Sequence, residues 1–266
     1  MTAIRSALVL ALVGLSTHGA FAQGSAQPAP APRARPAARP STPLPRGYVL
    51  LGVGYALAQN DFEETVTPRS NAENGSSTLS YGVNGALAFE GAAAVRVWRS
   101  YGLRAGVGRS STAVEGTVDA SSPHPFFFDR PRTTSAEIDG LDRAETAIGL
   151  HLLAMFPINR RMQLTVFAGP TWLHLSQDTV QSVSFTEAYP YDTIAFSRAV
   201  TAESSDTTLT VGGGADFNYF FSKSVGLGAS VQFAQADVEL TTMNGNVTTV
   251  KAGGSKAGLS LTVRIP

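Results

Sequence analysis

His174, Ser176 and Asp178 stand two residues apart along one face of an alternating stretch. A histidine base beside a serine hydroxyl is the pairing that acyl transfer uses to make a nucleophile. No oxyanion donor can be named around them, and the plainer reading is a set of polar side chains marking where a strand leaves an apolar environment. His151 has no partner at metal-ligand spacing, and His18 and His124 lie far from it in sequence, so no zinc site is expected. Gly52-x-Gly54 and Gly212-Gly213-Gly214 precede no helix, which excludes dinucleotide and phosphate-loop readings. With no cysteine there is no disulfide, thiolate metal site or cysteine nucleophile. No catalytic, cofactor-binding or metal-binding residue is therefore assigned, no cofactor is expected, and the chain is read as a non-enzyme.

The elements that carry these residues are strands. Between Thr207 and Leu240, Leu209, Val211, Ala215, Phe217 and Tyr219 alternate with Thr208, Thr210, Gly212, Gly214, Asp216 and Asn218. After Ser222-Lys223-Ser224 the alternation resumes with Val225, Leu227, Ala229, Val231 and Phe233. A period of two means β-strand, and strands of this length match the ~9–11 tilted residues that cross a bilayer. The apolar face carries the bulk and the polar face is small and glycine-rich. That is the reverse of a soluble barrel.

The same pattern recurs at 49–58, 87–98, 103–110, 145–156, 162–172 and 256–265, giving eight strands in all. Polar stretches at 60–78, 116–141 and about 178–206 read as long loops; Arg99-Ser100-Tyr101, Asn159-Arg160-Arg161 and Ser222-Lys223-Ser224 read as short turns, and Asn244-Gly245 as a tight one. Aromatic residues gather near strand ends: Trp98, Tyr101, Phe156, Tyr219, Phe220 and Phe221 at one, with Tyr55, Trp172 and Phe233 at the other. Such clusters form interfacial girdles. Charged residues make up only 15% of the chain, and a net charge of zero gives no footprint for nucleic acid. The fold expected is all-β, an eight-stranded antiparallel transmembrane β-barrel over 47–266, closed because an open sheet edge is not satisfied in lipid.

Two segments precede it. Residues 1–22 read as a secretory signal peptide: Arg5, an apolar Ala7 to Leu15, then Ala20-Phe21-Ala22 as a cleavage site. Residues 23–46 form a Pro/Ala/Arg-rich arm that cannot bury a core, expected to be a disordered spacer or a basic arm against an anionic polymer or headgroup.

Tyr101-Gly102-Leu103-Arg104-Ala105-Gly106-Val107-Gly108, Val225-Gly226-Leu227-Gly228-Ala229 and the C-terminal Lys256-Ala257-Gly258-Leu259-Ser260-Leu261-Thr262-Val263 resemble the bacterial outer-membrane eight-stranded β-barrel family, the OmpA-like and OmpW-like group. The last segment is similar to the assembly signal of such barrels but ends Arg264-Ile265-Pro266 without a terminal aromatic. The resemblance implies residence in the outer-membrane lipid bilayer, insertion by the barrel assembly machinery, short periplasmic turns with the arm on that side, and long external loops. It does not imply an activity.

Alternation places Glu90, Arg96, Arg104, Glu145, His151, Asp216, Lys256 and Arg264 inside the barrel. Eight strands enclose only enough room for side chains, so these charges are expected to pair as a luminal plug. The function expected is a structural or surface-interaction role, with the external loops as contact surface for a partner; Pro123 to Phe128 is apolar for such a loop. The alternatives are a narrow channel for small or hydrophobic solutes and an outer-leaflet lipid-modifying enzyme, similar to a lipid A deacylase, using His174 and Ser176.

Overall fold

The structure, a computed structural model, describes residues 45–57 and 61–265. The expected signal peptide and nearly all of the expected arm lie outside the described residues.

Among the described residues twelve strands follow one another: β1 (Gly47–Ala56), β2 (Phe62–Val66), β3 (Arg69–Ser70), β4 (Glu73–Asn74), β5 (Ser76–Val83), β6 (Ala86–Trp98), β7 (Tyr101–Ser122), β8 (Arg132–Pro157), β9 (Met162–Glu187), β10 (Ile194–Phe220), β11 (Val225–Thr241) and β12 (Val247–Ile265). Eight of them pair antiparallel in the ring β7-β6-β1-β12-β11-β10-β9-β8, and β8 pairs back to β7. The first and last strands meet in register, Leu51 opposite Leu261 and Val53 opposite Leu259. The ring is a closed eight-stranded barrel.

Its lower half, nearer the short turns, is apolar outside. Leu51, Leu103, Leu150, Leu152, Leu227 and Leu259 all point away from the lumen and are exposed. We call this half the belt. Trp98, Tyr101, Phe156, Tyr219 and Phe221 are exposed toward the short-turn rim, and Tyr55, Trp172 and Phe233 are exposed higher up. Phe220 departs from the expected girdle: it is buried in the lumen under Arg264, whose guanidinium lies 3.4 Å from the ring centre. Trp98 turns outward because the ladder slips between Arg96 and Trp98.

The three long loops are the main correction. Strands run through most of 60–78, 116–141 and 178–206, leaving only 123–131, 188–193 and 242–246 as the tips between β7 and β12. These segments look like loops because serine, threonine and acidic residues dominate them, yet they alternate with the opposite sense. Val114, Val118, Ile138 and Leu141 face inward, while Glu115, Asp119, Glu137 and Asp139 face out. On β8 the inward face changes parity at a bulge, where Asp139 and Gly140 lie between the rungs Gly116–Ile138 and Val114–Leu141. Gly140 supplies the positive φ (+77°) that this extra residue needs.

This upper half, the crown, is no longer a closed ladder. The β8–β9 rungs end at Arg143–Gln177 and the β10–β11 rungs at Gly213–Phe233. Beyond them the strands stand as three fingers: the sheet β2-β5-β7-β8, the ribbon β9–β10 and the ribbon β11–β12. Their inner faces close on two apolar clusters, one of Leu79, Tyr81, Val83, Val118, Leu141 and Val180 among others, the second of Leu175, Val238, Leu240, Val250 and Ala252. Side chains take over from the ladder at each split. Asp178 accepts from the Asp142 amide (3.1 Å), Asp206 from the Glu239 amide (3.3 Å) and Ser204 from the Thr241 amide (2.9 Å). Glu64 of β2, buried, accepts from the Thr242 hydroxyl (2.7 Å) and so ties the first finger to the tip of the third.

Candidate functional site

The luminal charges expected as one network fall into separate groups along the barrel. At the short-turn rim, Arg264 is half-buried and donates to Gln163 Oε1 (3.4 Å), and Arg96 donates to the Arg99 carbonyl (3.5 Å). Among the described residues neither meets a carboxylate. In the middle, Arg104 Nε lies 3.7 Å from Asp216 Oδ2, the Tyr48 hydroxyl donates to the same oxygen (3.4 Å), and the guanidinium rests 3.9 Å from the Phe167 ring centre. Glu90 accepts from the Ser230 hydroxyl (3.0 Å) and from the Gln232 amide. His151 Nε2 bonds Thr171 Oγ1 at 3.0 Å. Nearer the crown, Arg143 donates to Glu145 (2.7 Å), to Gln177 (2.7 Å) and to the Lys251 carbonyl (2.8 Å). Glu145 Oε2 accepts in turn from the Gly253 amide (3.2 Å). Gly253 has φ +79°, and a Cβ there would run into the Ala234 carbonyl, so glycine alone lets this amide turn inward.

Glu90, Arg104, His151 and Lys256 line one cavity of about 70 Å³. It has room for a few waters, which polar side chains of this kind hold. Toward the short turns it is floored by Leu50, Ala92, Leu153, Met155 and Phe167; toward the crown stand the Arg143–Glu145 pair and the cluster around Leu240. Tyr48, Arg143, Gln163 and Gln177 were missed in the sequence. Tyr48 precedes Val49, where the alternation begins, and Arg143 is two residues before Glu145 on the same face, beside a segment of loop-like composition. Continuing the parity would have found both.

The crown ends in a second constellation. Arg132, buried, donates to the Tyr191 carbonyl (3.1 Å), the Pro123 carbonyl (2.8 Å) and Glu187 Oε1 (2.9 Å), joining the tips 123–131 and 188–193. His124, also buried, accepts the Phe126 amide on Nδ1 (3.1 Å) and places Nε2 3.6 Å from Asp192. The Asp129 amide donates to Glu73 (2.8 Å) and binds in the β3–β4 hairpin. These bonds hold a cluster of rings at the outermost surface: Phe126 against Tyr191 (5.7 Å), Tyr191 against Tyr189 (6.1 Å), Phe127 against His124 (4.9 Å). Phe126 is 70% exposed, Phe128 75% and Tyr189 87%.

A ring whose outer face is apolar, whose lumen holds the charges and whose backbone is closed within the belt meets what a bilayer asks of a sheet. The chain is an eight-stranded transmembrane β-barrel. No family model matches it, and no curated protein matches it. Among solved structures it is similar to the outer membrane protein OprG from Pseudomonas aeruginosa, at 9% identity and a TM-score of 0.45, covering 83% of this chain and 97% of that one. Neisserial surface protein A is similar at 12% identity and a TM-score of 0.40, over 82% and 96% of the two chains. The outer membrane protease OmpT from Escherichia coli is similar at 9% and 0.41, over 81% and 95%.

On this barrel the three residues that suggested acyl transfer sit outward on β9, each bonded across its strand. His174 Nδ1 pairs with Thr207 Oγ1 (2.9 Å), the Ser176 hydroxyl donates to Glu203 (2.6 Å), and Asp178 caps the Asp142 amide. The serine proton therefore points at a carboxylate and not at the imidazole. No group of three or more histidines and carboxylates among the described residues is placed to hold a metal ion.

Proposed function

We propose that the protein is a non-enzymatic outer-membrane barrel whose crown is a contact surface on the cell exterior and whose lumen is a polar plug. The carrying observation is the ring cluster at the crown tip. Four exposed aromatic residues, Phe126, Phe127, Phe128 and Tyr189, stand on tips whose backbones a buried arginine and a buried histidine tie down, and exposed aromatics on an ordered backbone are what binding surfaces use as anchors. Buried clamps of this kind reduce the ordering cost that a partner would otherwise meet. The short turns then face the periplasm, together with the arm 23–46, as barrels of this type arrange their turns. Insertion would run through the barrel assembly machinery, with β12 closing on β1.

The experiment is cell adhesion and planar-bilayer conductance on the same protein. Cells displaying the wild type should adhere to an abiotic or host surface better than cells displaying Phe126→Ser/Phe128→Ser/Tyr189→Ser at equal surface abundance, and refolded protein should give no steady openings. Equal adhesion sinks the contact-surface reading. Steady openings that shift in Arg104→Ala would put the narrow channel first, a reading the central cavity favours.

A further inference from the structure

We infer that the crown tip takes a cationic polypeptide segment, with arginine or lysine side chains seated over its exposed rings. This rests on the contact-surface reading and names the partner's chemistry.

Two independent observations point to it. The first is charge. Of the chain's twenty carboxylates, all but Glu90, Glu145 and Asp216 lie in the crown, seventeen in number, against six arginines and lysines there (Arg69, Arg130, Arg132, Arg143, Arg198 and Lys251). At the tip itself Glu73, Asp129, Glu187 and Asp192 stand against Arg69, Arg130 and Arg132; Glu187 is paired with Arg132, while Asp192 is largely exposed. An excess of this size sets up a field that draws in cations and turns away anions. It works against acidic glycans and acidic proteins as partners.

The second is the geometry of the rings. Arg130 already lies with its guanidinium 5.5 Å from the Phe127 ring centre. That is the distance at which an aromatic face attracts a cation. The chain thus fills one of its own sites. Phe126, Phe128 and Tyr189 are as exposed as Phe127 or more so, and among the described residues none of them has a cation over its face. A neutral apolar partner would use the rings and gain nothing from the field. A small cation would use the field and reach one ring at most. A chain of arginines or lysines uses both, because side chains a few ångströms apart along an extended peptide reach neighbouring rings together.

The test uses the whole barrel in nanodiscs with neutral lipid. The probes are fluorescein-labelled nona-arginine, labelled nona-glutamate and the neutral oligosaccharide maltoheptaose, each titrated at low and high salt. The protein is the wild type and Phe126→Ser/Phe128→Ser/Tyr189→Ser, with heat-modifiable gel migration reporting that both are folded. Nona-arginine should bind, nona-glutamate should not, and the ring variant should bind nona-arginine about tenfold more weakly at the same salt. Equal affinity in the two proteins would reduce the binding to the acidic field alone and overturn the inference. Maltoheptaose bound through the rings, with nona-arginine indifferent to them, would overturn it too while leaving a contact surface in place. Loss of ring-dependent adhesion in the cell assay, by contrast, would take the underlying reading with it.

Discussion

The belt and the crown are made from the same hairpins with opposite polarity. On β7, Leu103 and Val107 face lipid while Arg104 faces the lumen; further along the same strand Asp119 faces out and Val118 is buried. The two halves also close differently. The belt closes by backbone ladders that run from strand to strand round the whole ring, with one gap on β8–β9 between the rungs Gly149–Thr171 and Leu152–Ala168, the crown by two apolar clusters between fingers whose edges have parted. The difference follows from the solvent on each. In hydrocarbon nothing else satisfies an edge, and apolar packing gains little. In water an edge is solvated, and excluding water from a core is the main driving force. One chain therefore meets two solvents by reversing which face is apolar.

A matched pair of substitutions puts that contrast at greatest risk. Leu152 lies in mid-belt, 72% exposed, and Val118 lies in the crown core, fully buried. Leu152→Arg should cost about 2–4 kcal/mol and reduce the folded fraction seen by heat-modifiable migration. Val118→Asp buries an unpaired charge, a penalty of several kcal/mol that the crown alone bears. The folded band should survive in that variant while protease trims the crown. If Val118→Asp also abolishes the band, the two halves do not close independently.

Arg132→Met sharpens the comparison within the crown. It removes three hydrogen bonds from a buried guanidinium and strands two carbonyls and Glu187. Charged hydrogen bonds contribute about 1.5–3 kcal/mol each, so the tips 123–131 and 188–193 should become the first sites of proteolysis, with the belt untouched. Protection equal to the wild type would mean that ring packing alone holds the tips. Gly253→Ala is smaller and acts at the boundary of the halves. A side chain at φ +79° costs about 1–2 kcal/mol, its Cβ would also press on the Ala234 carbonyl so that the strand must shift, and the amide that Glu145 accepts would turn away. Thermal unfolding should show a loss larger than the φ cost alone, and Glu145→Gln should reproduce part of it.

How much of this was legible in the sequence divides along the same line. The belt was readable because Leu, Val and Phe alternate with Gly, Ala and Ser over whole strands, so strand number, closure and inward parity follow from a period of two. The crown was not, because Thr, Ser, Asp and Glu on its outer face resemble loop composition, and its inner face offers only isolated residues such as Val114, Val118 and Ile138. Strand pairing there depends on partners distant in sequence, and β5 takes the place beside β7 that β6 leaves. Alternation assigns a face to each of these charges but does not supply its partner. Alternation gives the side a residue faces, whereas the pairing of Arg104 with Asp216 depends on the register across several strands. The same limit made His174 and Ser176 look like a pair. Neighbours on one strand face are farther apart than neighbours across a rung, and the bonds run across the rungs.

Tyr81 gives the finest separation of crown from belt. It is buried in the larger crown cluster, stacked on Phe62 at 4.3 Å, and its hydroxyl accepts the Val180 amide at 3.0 Å. Burial, the leading cause, pushes its phenol up to about 12 from an ordinary 10. The folded crown thus favours the protonated ring, so the stabilisation is whole below pH 10 and is lost as pH rises through about 12. Protection of the crown against hydrogen exchange should fall over that interval while the belt keeps its own. Tyr81→Phe should cost about 1 kcal/mol at neutral pH, since the Val180 amide loses its acceptor, and should flatten the alkaline fall. A variant that still loosens with the wild-type profile would assign the transition to a group other than Tyr81 and leave the finger contact between β5 and β9 without its pH dependence.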